Sequence, residues 1–350
     1  MKILFVTDRR VDAGSIQAVA AHVRAGDELG HTLAVYGQET PSFPGVRFSA
    51  DVGAFDRVVF IFESKLRWLS GLQLAHVLSG VPRRRRAILD ADGMYNPRIA
   101  VDGYDRNHAS ERDRTEWLAH LGHLADRVLQ PVLGPPGPGA MALPFYGYDP
   151  AAQVAVDPVR KRFDIVHVGH NWWRWREVSS RLLPALERIR PHLDGIGFVG
   201  AWWDAVPPWA GDLGLGEAFC VDADRLRRLG IQIQPPIPYS EVIAAMSAAR
   251  INIMTQRPLL RHLKILTSKY FEIFCADTIP LVMLDPDHAE MVYGPAGREL
   301  ALYDRVADKL HDALTRPEKY QEIVREVRQH LVAHHSYRGR VQQLVAALEV

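Results

Sequence analysis

Short apolar runs alternate with helix-length stretches along this chain; the alternation breaks once near the middle and then starts again. This double alternation limits the fold more than any other feature. A run such as Arg57-Val58-Val59-Phe60-Ile61-Phe62 is apolar at nearly every position, as a strand covered on both faces must be. The first half predicts strands over 2–7, 31–36, 57–62, 86–90, 128–129 and 141–143, with helices over 15–29, 66–78 and 108–124. Gly30 stands where the first helix should stop. Residues 132–139 read as a loop stiffened by prolines, and 151–162 show no clear period. Strands are then expected over 163–168, 196–199, 251–254 and 279–284, with helices over 174–190, 239–249, 304–315, 317–332 and 337–348. Such alternation predicts an α/β fold of two doubly wound, Rossmann-like domains, 1–155 and 156–350, with the last helix free to pack back on the first. Ligands of such sheets bind beyond the carboxyl ends of the strands, so two facing sheets predict a central cleft.

At 350 residues the chain can bury two cores, and 47% apolar with 24% charged residues is the balance of a soluble globular protein. A net charge of +1 gives no overall pull toward nucleic acid, and none is expected as a partner. Cys220 and Cys275 are too few for a disulfide framework or a zinc site. The apolar start, Met1 to Val6, is too short for a signal-peptide core, and no stretch could span a bilayer. A cytoplasmic location is expected, with Arg83 to Arg86 a candidate for peripheral contact with anionic lipid. The plain alternative is a solvated approach to a strand.

Residues 268–282, Ser-Lys-Tyr-Phe-Glu-Ile-Phe-Cys-Ala-Asp-Thr-Ile-Pro-Leu-Val, read as a helix start, a carboxylate one turn in, a tight exit and a buried strand. The first turn of a helix offers unpaired N–H groups to a phosphate. A Glu placed there can accept two hydrogen bonds from a ribose diol. Together these describe a nucleotide pocket; the bland reading is an ordinary helix–strand unit.

The segment resembles the nucleotide-binding signature of GT-B glycosyltransferases, in the spore-maturation-type branch of the large retaining family. Four further stretches agree in order: Leu143 to Pro150 as the crossing between domains, Asp164 to Gly169 with Arg174 and Arg176 as first strand and phosphate loop, Ile237 to Glu241 followed by Ala249 to Met254, and His335-Ser336-Tyr337 with Arg340. The resemblance covers about 140–350 and implies a glycosyltransferase that moves a sugar from a nucleotide donor such as a UDP-sugar, with retention and without a metal or cofactor. It departs from the family at Lys264, where many members carry a first glutamate, and at Asp277, where a Gly makes the helix exit. Left-handed geometry is expected of that Asp.

On this resemblance Gly169, Arg174, Arg176, Tyr239, Thr267, Ser268, Lys269 and Glu272 form the donor set, with Glu272 on the ribose and Lys269 on the diphosphate. Asp92, His108 and Lys269 are the candidates for catalysis. Gly14, Ser15, Asp90, Tyr95, Trp172 and Trp202 are candidates for the acceptor side of the cleft, since carboxylates orient hydroxyls and indoles stack on sugars. Each has a plainer role open to it: turn cap, surface histidine, core indole. The acceptor, whether glycan, lipid-linked or small-molecule hydroxyl, is not indicated. The rivals are a nucleotide-sugar 2-epimerase of the same fold and a non-catalytic partner protein.

Overall fold

The structure is a computed structural model that describes residues 1–7, 14–40, 43, 45–62, 69–154 and 161–349, with backbone alone for Gly14, Ser15 and His120. The strands of the first half are β1 (Lys2–Val6), β2 (Thr32–Tyr36), β3 (Phe48–Ser49), β4 (Arg57–Phe62), β5 (Arg86–Asp90), β6 (Ala100–Val101), β7 (Asp105–Arg106), β8 (Arg127–Gln130) and β9 (Met141–Ala142). Its helices are α1 (Gly14–Glu28), α2 (Gly71–Gly80) and α3 (Glu111–Gly122). The second half carries β10 (Phe163–Val168), α4 (Trp175–Glu177), α5 (Leu183–Ile189), β11 (Ile196–Val199), α6 (Ala223–Arg228), β12 (Ile231–Gln234), α7 (Val242–Ser247) and β13 (Ala249–Met254). It closes with α8 (Pro258–His262), α9 (Lys269–Glu272), β14 (Ile279–Val282), α10 (Pro286–Tyr293), α11 (Val306–Thr315), α12 (Pro317–His334) and α13 (Tyr337–Glu349).

Two sheets result. The first runs β3-β2-β1-β4-β5-β8-β9 and the second β12-β11-β10-β13-β14, and every pair in both is parallel. Each order turns back beside its first strand, so each sheet has a switch point, between β1 and β4 and between β10 and β13. This is the doubly wound architecture that the alternation predicts.

Alternate side chains explain the two layers. Ile3 and Phe5 face a core that continues into the second half, while Leu4 and Val6 face a separate core with Val58, Phe60, Ile88 and Val77. The C-terminal helix α13 packs on α1. Its last carbonyls, Ala347 O and Leu348 O, accept from Arg127 (3.0 Å) and Arg57 (2.8 Å) of the first sheet. The chain therefore ends on the half where it began.

Several details differ from the sequence reading. The strand β3 and the antiparallel hairpin β6–β7 are two residues a strand, too short to show a period, whereas β12, Ile-Gln-Ile-Gln, alternates and was missed. The helix expected over 174–190 is split by a π turn at Val178–Leu182. Its Pro184, at the start of α5, lacks an amide hydrogen for the helical ladder. Asp277 is not left-handed. Its carboxylate takes Lys161 Nζ at 2.7 Å and its amide donates to Ser247 Oγ at 2.9 Å, so side-chain bonds hold the exit that a glycine would make by backbone freedom.

Three of the four arginines at 83–86 are tied to the fold. Arg83 pairs with Asp126 at 2.9 Å, Arg85 donates to Phe55 O and Asp56 O at 2.7 Å each, and Arg86 is buried. No helix among the described residues is long and apolar enough to cross a membrane.

Candidate nucleotide and acceptor cleft

The switch point of the second sheet gathers most of the donor candidates. Gly169 follows β10 and Gly200 follows β11, with φ of 158° and 149°. A Cβ on Gly200 would stand 2.3 Å from Gly169 O, so the two loops touch backbone to backbone and a side chain has no room there. Trp203 Nε1 donates to Gly169 O at 2.7 Å and pins the loop from beneath. Lys269, at the start of α9, reaches across to donate to Val168 O at 3.0 Å. Burial lowers its pKa, against the opposing pull of Glu272. Arg174 donates to His170 O at 2.8 Å and leaves its Nε buried without a partner. Burial, with Arg257 nearby, lowers its pKa to about 10.

Thr267 and Ser268 enter α9 half-buried, and the chain just before them is docked on the first half. Leu266 N donates to Pro131 O at 2.7 Å, and Ile265 bridges antiparallel to Val132. Lys264, at the departed glutamate position, adopts φ of 55°.

Glu272 and Tyr239 meet in the wall of a cavity of about 310 Å³. The Tyr239 hydroxyl donates to Glu272 Oε1, while Glu272 Oε2 is buried with no hydrogen-bond partner. Burial and the adjacent carboxylate raise the Tyr239 pKa well above the usual phenol value, so it remains a donor. Gln17, Ala21 and Arg24 of α1 line the opposite wall. The cavity therefore lies between the two halves, and Arg24 closes one side by pairing with Asp149 at 2.6 Å.

In the first half, Asp90 and His108 build a loop rather than face the cleft. Asp90 is fully buried and accepts from Met94 N (2.9 Å), Tyr95 N (3.0 Å) and Gln130 Nε2 (2.8 Å). His108, also buried, donates from Nε2 to Met94 O at 2.7 Å, and its Nδ1 stands 3.6 Å from Asp113 Oδ2. Asn107 adds bonds to Gly93 O, Asn96 O and Pro97 O. This bracing presents Asp92 half-buried at the tip, beside Gly93, whose Cβ would clash with Leu263 Cδ1 at 2.4 Å. The loop carrying Asp92 thus packs on the segment that leads to Thr267. Tyr95 is half-buried, edge-on to Trp117 with ring centres 5.3 Å apart, rather than open in a cleft. Gly14 and Ser15 begin α1, and the residues before them, 8–13, lie outside the described residues.

The hairpin β6–β7 crosses to the second half. Asp105, fully buried, accepts from Arg257 Nε and from Leu259 N, each at 2.8 Å. Tyr104 OH donates to Trp173 O at 3.1 Å. Arg176 lies over the Tyr104 ring at 4.0 Å and donates to Asp102 O, so its guanidinium serves the hairpin and not the Gly169 loop. Trp172 and Trp202 are half-buried and both edge onto Phe219. Sequence reasoning missed Arg257 and Asp105. The signal for Arg257 was its place just past the carboxyl end of β13; nothing in the sequence links it to a residue some 150 positions earlier.

A glycosyl transferase-like family profile matches residues 158–346, more than half of the chain. The chain belongs to the glycosyl transferase-like family. Among curated proteins no relative is found. Among solved structures, T4 phage β-glucosyltransferase in complex with UDP-glucose is similar over 99% of both chains, with 11% identity and a TM-score of 0.61. A D100A mutant of that enzyme with UDP-glucose gives 12% identity and a TM-score of 0.63, again over 99% of each chain. An α-glucosyltransferase in complex with UDP and a 13-mer DNA is similar over 100% of this chain and 99% of its own, with 10% identity and a TM-score of 0.65. At such identities the likeness establishes the fold, which is GT-B. The glycosyl transferase-like region contains Gly169, Arg174, Tyr239, Lys269 and Glu272, whereas Asp92 and the hairpin lie before it. Among the described residues no group of His, Cys, Asp and Glu is arranged to hold a metal ion.

Proposed function

We propose that this protein transfers a sugar from a UDP-sugar to an acceptor hydroxyl, with Glu272 as the ribose ligand. One observation carries the reading: Glu272 Oε2 is a buried carboxylate oxygen without a donor, on a residue lining the interdomain cavity. A buried acceptor left unmet is costly, and a ribose hydroxyl supplies the missing donor. The UDP or UDP-glucose in the similar structures supports uracil as the base.

In this reading Lys269, Arg174 and the Gly169 loop hold the diphosphate. As the bond from sugar C1 to the phosphate oxygen breaks, the electron pair leaves with UDP, and these cations stabilise the developing charge. The acceptor oxygen bonds to C1 and gives its proton to Asp92, which the loop braced by Asp90 and His108 holds beside the donor segment. The resemblance of the nucleotide segment implies retention. The fold is compatible with either outcome, since both an α- and a β-glucosyltransferase share it.

Thermal shift with UDP, GDP, ADP, CDP and dTDP tests the reading. A ligand that binds only the native state adds about 2.7 kcal/mol at a hundredfold excess over its Kd. Stabilisation selective for UDP is expected; no shift with any nucleotide overturns the proposal.

A further inference from the structure

The segment between β11 and α6 is long and contributes an aromatic surface that the donor site does not use. Residues 200–222 hold Trp202, Trp203, Trp209 and Phe219 with four acids, Asp204, Asp212, Glu217 and Asp222, and no Lys or Arg. Trp203 and Phe219 are buried; Trp209 is 43% exposed. Trp202 stands edge-on to Phe219 at 4.7 Å and to Trp209 at 6.2 Å, and Trp172 joins them 4.9 Å from Phe219. The result is an aromatic cluster closed on Phe219, with Trp172 and Trp202 half-buried and Trp209 its exposed ring.

Its geometry is imposed at a cost. Trp202 has φ of 68°, a region that a bulky residue enters only under constraint. The constraint is Asn171, fully buried, whose Nδ2 donates to Trp202 O and Cys220 O at 2.9 Å each. Phe219 and Tyr104 share one apolar cluster with Trp173. The aromatic cluster therefore begins where the hairpin of the first half meets the second, next to the Gly169 loop that Trp203 Nε1 holds.

Chemistry selects the occupant. Indole faces stack on the C–H faces of sugar rings, and the exposed carboxylates of Asp204, Asp212 and Glu217 accept their hydroxyls. A phosphate backbone would meet carboxylates with no cation in the whole segment. We propose that the Trp202–Trp209 face is a saccharide subsite that holds neutral sugar rings of the acceptor beside the cleft. The proposal rests on the glycosyl-transfer reading above.

Intrinsic fluorescence of the full chain, titrated with cellotetraose, maltotetraose, chitotetraose and a 13-base-pair DNA duplex, tests it. At least one tetrasaccharide is expected to change the tryptophan emission saturably, and the duplex to leave it unchanged. Trp209→Ala should weaken that binding by about tenfold, equivalent to about 1.4 kcal/mol, and Trp209→Phe should restore most of it. The UDP-induced rise in Tm, measured on each variant, reports that the protein is folded. No saccharide response, an unaltered response in Trp209→Ala, or binding of the duplex alone overturns the subsite. If UDP shifts Tm while no saccharide responds, only this proposal falls. If UDP gives no shift, the glycosyl-transfer reading falls and the acceptor role with it.

Discussion

The Tyr239 hydroxyl donates to one oxygen of Glu272 and leaves the other, Oε2, buried and unpaired. The two residues come from different elements, a turn before α7 and the end of α9, and are thirty-three positions apart. One oxygen is fixed by the protein and the other has no protein donor, so the orientation of the carboxylate is set by the Tyr239 hydroxyl.

Glu272→Ala should therefore weaken UDP binding by about 10- to 100-fold, the worth of hydrogen bonds to a charged acceptor. Tyr239→Phe keeps the carboxylate but frees its anchored oxygen, and should raise the UDP Kd only about threefold, since it removes the anchor of the acceptor and not the acceptor itself. Titration calorimetry of both variants checks the order of the two effects. Equal losses would mean that the pair acts as one structural unit.

Asp92→Asn should lower transfer to the acceptor by about 10² to 10³ while UDP affinity stays that of the wild type. Product formation and UDP calorimetry on the same preparation separate the two quantities. His108→Gln is expected to act through the fold, because His108 bonds to Met94 O inside the loop and does not reach the cleft. Its signature is a lower Tm.

Gly200→Ala puts a methyl 2.3 Å from Gly169 O, a backbone atom that cannot yield alone. The cost should be about 2 kcal/mol or more, with a further loss of UDP affinity as the Gly169 loop moves. Gly214→Ala is the control. Gly214 has φ of 63° but nothing within 4 Å of the added methyl, so its cost is the backbone term of about 1 kcal/mol without an effect on UDP. Urea denaturation and calorimetry read both.

Asp105→Ala leaves Arg257, mostly buried, without its carboxylate and releases the hairpin from Leu259 N. Breaking a buried pair from one side costs about 3 to 5 kcal/mol. A urea midpoint unchanged from the wild type would show that the hairpin does not hold the two halves together.

Acid should destabilise the protein through its buried histidines. Burial lowers the pKa of His22 from 6.5 to about 4, of His167 to about 3 and of His288 to about 4. As pH falls below 6.5 the unfolded chain takes up these protons first, so stability is full above 6.5 and declines toward the folded values. Each group contributes on the order of 3 kcal/mol across that window. The buried carboxyls Asp90, Asp105 and Glu177, raised by desolvation, act with the opposite sign and reduce the net slope. Urea midpoints at pH 8, 6.5 and 5 should fall in that order, and His22→Gln should flatten the decline.

Much of this protein is legible one segment at a time. The runs at 57–62 and 163–168 become central strands because an apolar stretch of that length has to be covered on both faces. Resemblance segment by segment picks out the Phe271-Glu272 turn, the Gly169 loop and the Tyr239 turn, and the fold brings Tyr239 to Glu272 and Lys269 to the strand that ends before Gly169. Asp90 shows where such reading stops. A carboxylate at the end of a strand reads as a ligand or as a cap with equal ease; only Met94 N, Tyr95 N and Gln130 Nε2, arriving from two other places, make it a cap.

By itself the sequence determined the alternation and the two sheets it requires, because hydrophobic period and turn chemistry are properties of neighbouring residues. The tertiary structure decided which cations are held by the protein itself. Arg176 turns to Tyr104, Arg257 to Asp105 and Arg85 to the carbonyls of Phe55 and Asp56. Those partners are 29 to 152 residues distant in sequence, and a charge carries no mark of which partner will satisfy it until the chain closes around both.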